Sequence, residues 1–267
     1  MYKKLTDLLE IKCIPAISTG NLSEDNLANA RLYVKLLNEY ERQGIYPVLI
    51  NKEMDNEWFR MSMGHNRVND TKEQYREDVE WTIKQTEYSC FEVWLGRLLY
   101  DYRLDCFKSK EEIDEYLERL IPPVSEEYEN IFANATEKEQ FGIFDMDEMT
   151  YDYAPLFIYF EELEFALLPV KKPWEILGWF PFGRFNACPA PKYHIALAKE
   201  LYQRFGARVM YVGRDRMTYY LRKPLMAKAD IEYASKMLMI ADGDLYTDYP
   251  STAEGIIGFH TWQFWWD

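Results

Sequence analysis

Two short acidic motifs have the oxygen-rich composition of a divalent-cation site. Asp242-x-Asp244 and Asp145-x-Asp147-Glu148 hold carboxylates one residue apart, and carboxylate oxygens are the ligands that Mg²⁺ and Ca²⁺ prefer. Neither motif completes an EF-hand loop or a phosphate-binding pattern. We therefore expect no metal and no cofactor, while Asp242 and Asp244 stay candidates for contact with a ligand.

A thiol and an imidazole lie close together in the sequence. Cys188 precedes His194 by six residues, and a nucleophilic thiol needs a base within hydrogen-bond reach. A spacing of six at the start of a helix does not fix that geometry. The chain has no Gly-x-Ser-x-Gly, no Walker loop and no dinucleotide glycine fingerprint. We expect no catalytic residue, and we interpret the histidines as surface or hydrogen-bonded core residues.

The C-terminus concentrates aromatic side chains beside a carboxylate. In an extended chain Trp262, Phe264 and Trp266 share one face, and three large aromatic groups are too apolar to remain in water. Asp267 is either the exposed end of a structural strand or part of an aromatic, acidic pocket for a cation or basic side chain. The basic side chains Arg184, Arg214 and Arg216 could instead neutralise such carboxylates.

The elements that must position these residues can be predicted from apolar periodicity, capping patterns and turn residues. Helices are predicted over 23–43 (ended by Gly44), from Thr71 through Leu99, from Ser109 to Pro122, over 191–205 (ended by Gly206), over 228–240, and from a Ser251-x-x-Glu254 cap. Strands are predicted over 45–50, 156–160, 165–170 and 262–266, with a hairpin of 207–212 and 217–221. The pattern predicts an α/β (α+β) fold with a mixed sheet flanked by helices.

One helix-glycine-strand unit occurs twice. Tyr40-x-Arg42-x-Gly44 and Val48-x-Ile50 recur 162 residues later as Tyr202-x-Arg204-x-Gly206 and Met210-x-Val212. Two related helix-strand halves could pair their strands in one sheet about a pseudo-twofold, although helix-glycine-strand units are also common by chance. A cleft between the halves would be a natural binding place.

Charge is unevenly distributed. The net charge is −14, and residues 111–165 hold 17 carboxylates against Arg119 and Lys138, whereas residues 166–230 hold 12 basic and 4 acidic groups. This balance argues against nucleic acid as a partner. The acidic segment is either a solvated helical face or a surface that attracts a basic protein.

Cellular location follows from two further features. No run approaches the ~20 apolar residues of a membrane helix, and the opening residues lack the apolar core of a secretion signal. The cysteines Cys13, Cys90, Cys106 and Cys188 lack paired spacing. We expect reduced thiols, a cytoplasmic location and no membrane partner; the sequence does not fix the oligomeric state.

Several motifs resemble one family. Phe165-Ala-Leu-Leu-Pro-Val170, Leu177-Gly178-Trp179, Asn186, the segment 202–209 and the terminal Phe-Trp-Trp-Asp267 are similar to the domain of unknown function 4253 family. The resemblance is strong over 165–267 and weak over 30–50, and it implies no assigned reaction. The family's Cys-Pro-Asp-like element appears here as Ala241-Asp242-Gly243-Asp244, without the cysteine.

These observations lead to one domain over 1–267. It comprises a family-like core of about 155–267 plus 20–62 and a helical acidic insert of about 70–150. We expect a non-catalytic, immunity-like protein-binding domain that uses its acidic surface. The alternative is a hydrolase whose site lies between the halves, near Trp179, Asn186 and Asp242. The full set of candidate binding residues is Trp179, Arg184, Asn186, Asp242, Asp244, Trp262, Trp266 and Asp267.

Overall fold

The structure is a computed structural model that describes residues 4–64, 71–85, 111–112, 115, 162–186, 188–242, 245–246 and 248–266. Its helices are α1 (Leu5–Leu9), α2 (Leu22–Tyr40), α3 (Asn56–Met63), α4 (Lys72–Gln85), α5 (Ile176–Trp179), α6 (Pro191–Phe205), α7 (Lys228–Ala241) and α8 (Tyr249–Ile256). Its strands are β1 (Lys12–Pro15), β2 (Tyr46–Asn51), β3 (Leu163–Leu168), β4 (Arg208–Val212), β5 (Arg216–Tyr220) and β6 (Thr261–Trp265).

The first predicted helix-glycine-strand unit is confirmed. The side chain of Asn21 accepts the backbone N–H of Glu24 and starts α2, which continues through a 3₁₀ turn to Gly44. Gly44 has φ +72°, a left-handed conformation that favours glycine and ends helices. The strand β2 that follows is buried along its whole length.

The second unit is confirmed as well. Proline occupies the first position of α6, where its missing N–H costs nothing, and Gly206 at φ +70° ends the helix. β4 and β5 then form the predicted hairpin around Gly213-Arg214-Asp215, closed by a bond from the N–H of Gly213 to the carbonyl of Arg216.

The six strands form one mixed sheet in the order β1-β3-β2-β4-β5-β6. Only β2 and β4 are parallel neighbours within the described sheet; the other pairs are antiparallel. Strands that precede residue 86 and strands that follow residue 161 therefore share one sheet. Helices cover it, which confirms the predicted α/β class.

The internal repeat has a structural counterpart. Leu49 pairs with Tyr211 and Ile50 with Val212, so the register equals the 162-residue offset of the sequence repeat. The two helices lie on opposite faces of the sheet: the Tyr33 ring of α2 meets Tyr220, and the Phe205 ring of α6 meets Trp262. Trp262 pairs with Tyr219, which directly precedes Tyr220 in β5. Consecutive residues of a strand face opposite sides of the sheet, so the two helices do as well.

The C-terminal strand is confirmed. β6 pairs antiparallel with β5, and Trp262, Phe264 and Trp266 are all buried. We call the side of the sheet that carries these three residues the tryptophan face. α6 covers it through Phe205 and His194.

The structure differs from the sequence predictions at two helices. Ser251 does not cap the last helix: the Asp248 side chain accepts the N–H of Ser251, so α8 begins earlier. Helix α3 was not predicted, although Asp55 caps its start and Gly64 its end. The Thr71–Gln74 capping box is confirmed. The predicted strand 156–160 and the helices beyond 85 lie outside the described residues. Of the acidic insert of about 70–150, the structure describes residues 71–85, 111–112 and 115, and α4 confirms the start of the helix predicted from Thr71.

Candidate functional site

Residues 181–190, which we call the 181–190 loop, connect the N-terminal and C-terminal parts of the fold. On one side the indole N–H of Trp58 donates to the carbonyl of Pro181 at 3.2 Å, and the Arg184 Nε donates to the carbonyl of Ser62 at 3.2 Å. On the other side the Phe182 ring lies 5.2 Å from that of Trp266. The loop therefore joins α3 to the end of β6.

The backbone of this loop is unusual. Gly183, Arg184 and Asn186 have φ of +108°, +65° and +44°, a region that L-residues with side chains rarely adopt. A Cβ on Gly183 would lie 1.8 Å from the carbonyl oxygen of Pro189. Such strain persists only where surrounding contacts impose it, and it often accompanies functional sites.

A thiol of this loop contacts an imidazole of α6. Cys188 Sγ lies 3.4 Å from His194 Nε2, and both side chains are buried. Phe182 and Trp266 pack edge-on against the imidazole at 5.3 and 5.0 Å. Burial lowers the pKa of His194 to about 3, partly opposed by a hydrogen bond with Pro189. The imidazole is therefore neutral at physiological pH, and burial makes it a weaker base than an exposed histidine.

Asp242 is fully buried at the end of α7. One carboxylate oxygen accepts the backbone N–H of Leu245 at 3.0 Å, and the other accepts that of Trp265 at 2.7 Å. Asp242 therefore holds the end of α7 against β6.

The arginines near the same edge of the sheet are engaged with carboxylates. The Nη2 atom of Arg214 lies 3.0 Å from Glu53 Oε2, and both of these side chains are largely exposed. Arg216 lies 3.9 Å from Asp215, and its guanidinium stacks 5.6 Å from the centre of the Trp265 ring. The indole N–H of Trp265 donates to Asp215 at 3.0 Å.

The described site residues lie at several places in the fold. Arg184 and Asn186 are exposed within the 181–190 loop, and Trp266 is buried against Phe182 of that loop. Trp179 is half-buried at the end of α5, and Trp262 is buried against Phe205 at the far end of β6. Asp242 contacts β6 through Trp265. Asp244 and Asp267 lie outside the described residues, so the pocket imagined around Asp267 stays a prediction.

Sequence reasoning missed Trp58 and Ser62. Both lie on α3, whose only clear sequence signals are the caps at Asp55 and Gly64. Their contacts with the 181–190 loop span more than 120 residues of chain. Spacing in the sequence cannot reveal such contacts.

Two features are absent from the described residues. No three His, Cys, Asp or Glu side chains are grouped so that they could hold a metal ion. Among the same residues, no helix combines the length and apolar character needed to cross a bilayer.

Comparison with known proteins bears on the C-terminal part of the chain. No curated protein and no solved structure matches the sequence. Residues 164–267 match the family model described as domain of unknown function (DUF4253). The match covers the strongly resembling stretch, including the 181–190 loop and the terminal aromatic strand. Residues 164–267 of this chain are thus similar to the DUF4253 family.

Proposed function

We propose that this chain is a non-catalytic binding protein that uses the acidic segment 111–165 to bind a basic protein. The observation that carries the proposal is the local charge: 17 carboxylates against two basic residues. A concentrated charge of one sign speeds encounters with an oppositely charged protein and rejects like-charged partners.

The ion pairs of the sheet support this proposal. Arg208 and Arg222 both bind Glu41, at 2.7 and 2.9 Å, and Arg214 binds Glu53. These three arginines come from the basic stretch 166–230, and their partners come from the N-terminal part of the chain. Among the described residues, these three arginines thus have carboxylate partners from outside the acidic segment.

The environment of the buried polar groups supports a non-catalytic role. Asp242 uses both carboxylate oxygens on backbone N–H groups. Cys188 and His194 are buried beneath a constrained loop. A binding protein of the immunity kind, which covers the active surface of a toxin, is our proposed class by analogy with small acidic inhibitors. We propose a cytoplasmic location, consistent with Cys13 and Cys188, which form no disulfide within the described part of the chain.

The test compares two charge-neutralised variants of the full chain. Glu126→Gln, Glu127→Gln and Glu129→Gln remove three charges from the acidic segment. The matched control, Glu77→Gln, Glu80→Gln and Glu254→Gln, removes three charges from exposed positions elsewhere. Each protein is immobilised, and the lysate proteins that it retains at low salt and at 0.5 M salt are identified by mass spectrometry. The higher salt concentration is about five times the ionic strength at which the Debye length is ~10 Å.

We expect wild type and control to retain a basic protein at low salt and to release it at high salt. The segment variant should retain at least about tenfold less of that protein. Equal retention by the segment variant and the control would show that the segment does not bind the partner. Retention of no basic protein by wild type would remove the proposal altogether.

The alternative, a hydrolase with its site between the halves, is favoured by one observation. The Cys188–His194 contact lies beneath a loop that touches both halves. The assay is hydrolysis of p-nitrophenyl esters by wild type, Cys188→Ser and Cys13→Ser. Activity that only Cys188→Ser abolishes would support the hydrolase and contradict the non-catalytic role. Activity equal to buffer in all three proteins would remove this thiol hydrolase.

A further inference from the structure

Two large side chains on the tryptophan face bury polar atoms that have no partner. Tyr219 and Trp262 are direct neighbours across β5 and β6, and both are buried. Within the part of the chain that the structure describes, neither the Tyr219 hydroxyl nor the Trp262 indole nitrogen has a hydrogen-bond partner. A buried polar group without a partner costs more free energy than a typical hydrogen bond contributes, so each such group in a native protein calls for an explanation.

The two atoms belong to one layer of the molecule. Directly opposed residues in an antiparallel pair project their side chains to the same side of the sheet, about 5 Å apart at Cβ. The Phe205 ring of α6 meets the Trp262 ring at 5.9 Å, and the Phe264 ring meets the Tyr219 ring at 5.4 Å. Both polar atoms therefore lie within the aromatic layer between the sheet and its helices.

A third orphaned hydroxyl lies on a helix of the same layer. Ser235 on α7 is fully buried, and its Oγ has no partner among the described residues. It follows Tyr233 by two residues, and Tyr233 packs on Phe205, which in turn packs on Trp262. These ring contacts place α7 over the same layer as Phe205 and Trp262.

We propose that Tyr219 and Trp262 together bind one small, uncharged hydrogen-bond acceptor between β5–β6 and the covering helices. An indole N–H can only donate, whereas a tyrosine hydroxyl donates or accepts, so one shared partner must offer an acceptor atom. A water molecule and a small carbonyl or hydroxyl compound have this chemistry in common.

The surroundings select an uncharged partner. Burial is the only cause that raises the pKa of Tyr219 above its ordinary range, with no contribution from a charged neighbour. An anion bound here would lose its hydration without gaining an opposing charge. Tyr219 also stays protonated at all ordinary pH values and keeps its hydroxyl as a donor.

The first test uses Tyr219→Phe, which removes the hydroxyl and leaves the ring. If the hydroxyl binds an acceptor, the variant loses a hydrogen bond and its urea midpoint falls by a few tenths of a molar. If the hydroxyl is truly unpaired, the midpoint stays the same or rises. The latter result would overturn the proposal.

Two matched controls calibrate this measurement. Tyr33→Phe removes a buried hydroxyl that donates to the carbonyl of Val209, so its midpoint should fall. Ser62→Ala removes a buried hydroxyl of α3 that has no partner among the described residues. We propose no ligand for it, so its midpoint should not fall. Tyr219→Phe is expected to resemble the first control, and Ser235→Ala shows whether the third hydroxyl shares the ligand.

The second test examines whether the partner is shared. Replacing Trp262 by 3-benzothienylalanine exchanges the indole N–H for sulfur at nearly constant shape. A shared ligand predicts that this change and Tyr219→Phe lower the midpoint individually and by less than the sum together, because the first change already disrupts the site. Additive losses would overturn the shared ligand.

The third test identifies the acceptor. Native mass spectrometry of the full chain would show extra mass for an organic compound, which Tyr219→Phe should reduce severalfold. No extra mass together with a water contact to the Trp262 indole N–H in a nuclear Overhauser spectrum would identify a buried water. The absence of both signals would overturn the proposal.

Discussion

The carboxylate of Asp242 accepts the backbone N–H of Trp265 at 2.7 Å, on the outer side of the last strand. Just after β6, the Trp266 N–H donates inward to the carbonyl of Asp215, and the preceding residue Trp265 therefore points its backbone N–H away from β5. The Tyr246 hydroxyl donates to the carbonyl of Gln263, another outward group, at 2.5 Å. Side chains thus occupy a sheet edge that could otherwise pair with another chain.

Asp242→Ala should destabilise the fold by about 1–3 kcal/mol, because it leaves the N–H of Trp265 buried without an acceptor. Asp242→Asn should cost less, since the amide oxygen can still accept one of the two bonds. Urea unfolding measures both, with the exposed Glu254→Gln as the control. If Asp242→Ala unfolds at the wild-type urea concentration, the bracing role is wrong.

Arg208 should contribute more to stability than Arg222, although both bind Glu41. The Arg208 side chain is 11% exposed and that of Arg222 is 39% exposed. Arg208→Leu removes the more buried of the two ion pairs and should cost up to about 3 kcal/mol, whereas a solvent-exposed pair contributes about 1 kcal/mol or less. Chemical unfolding of the two variants provides the comparison; equal losses would contradict the expected order.

Gly183→Ala should prevent or severely weaken folding. A methyl group there would overlap the Pro189 carbonyl, at 1.8 Å, in addition to the strain of φ +108°. Gly44 also has a positive φ, but nothing lies within 4 Å of its added Cβ. Gly44→Ala should therefore cost only about 1 kcal/mol from backbone strain. Thermal unfolding separates the two, and similar losses would refute the close approach at Gly183.

Acid should destabilise the protein through His194. The unfolded imidazole takes up a proton as pH falls through 6.5, but burial lowers the folded pKa to about 3. Between these values the unfolded state binds more protons, so stability falls as pH falls, by up to about 1.4 kcal/mol per pH unit. His194→Gln removes this contribution. Its unfolding free energy should depend less steeply on pH between 6.5 and 4.5 than that of wild type; identical slopes would contradict a buried neutral imidazole.

Local sequence patterns were sufficient for many of the elements. The helix ends at Gly44 and Gly206, the Thr71 capping box and the 213–215 turn all depend on backbone conformations or hydrogen bonds within a few residues. The alternation of Trp262, Phe264 and Trp266 predicted a buried strand face, because side chains alternate along any strand. The 162-residue repeat suggested that β2 and β4 could pair in one sheet, and the structure pairs them.

Tertiary structure decided the rest. Asp242 was a candidate for contact with a ligand, and only the fold shows which backbone N–H groups its carboxylate accepts. The Cys188–His194 contact depends on left-handed residues that turn the 181–190 loop back on α6. Trp58 reaches that loop across 123 residues. Local patterns fix the conformation of neighbouring residues, whereas contacts between distant residues arise only when the core packs, since packing alone sets their distances.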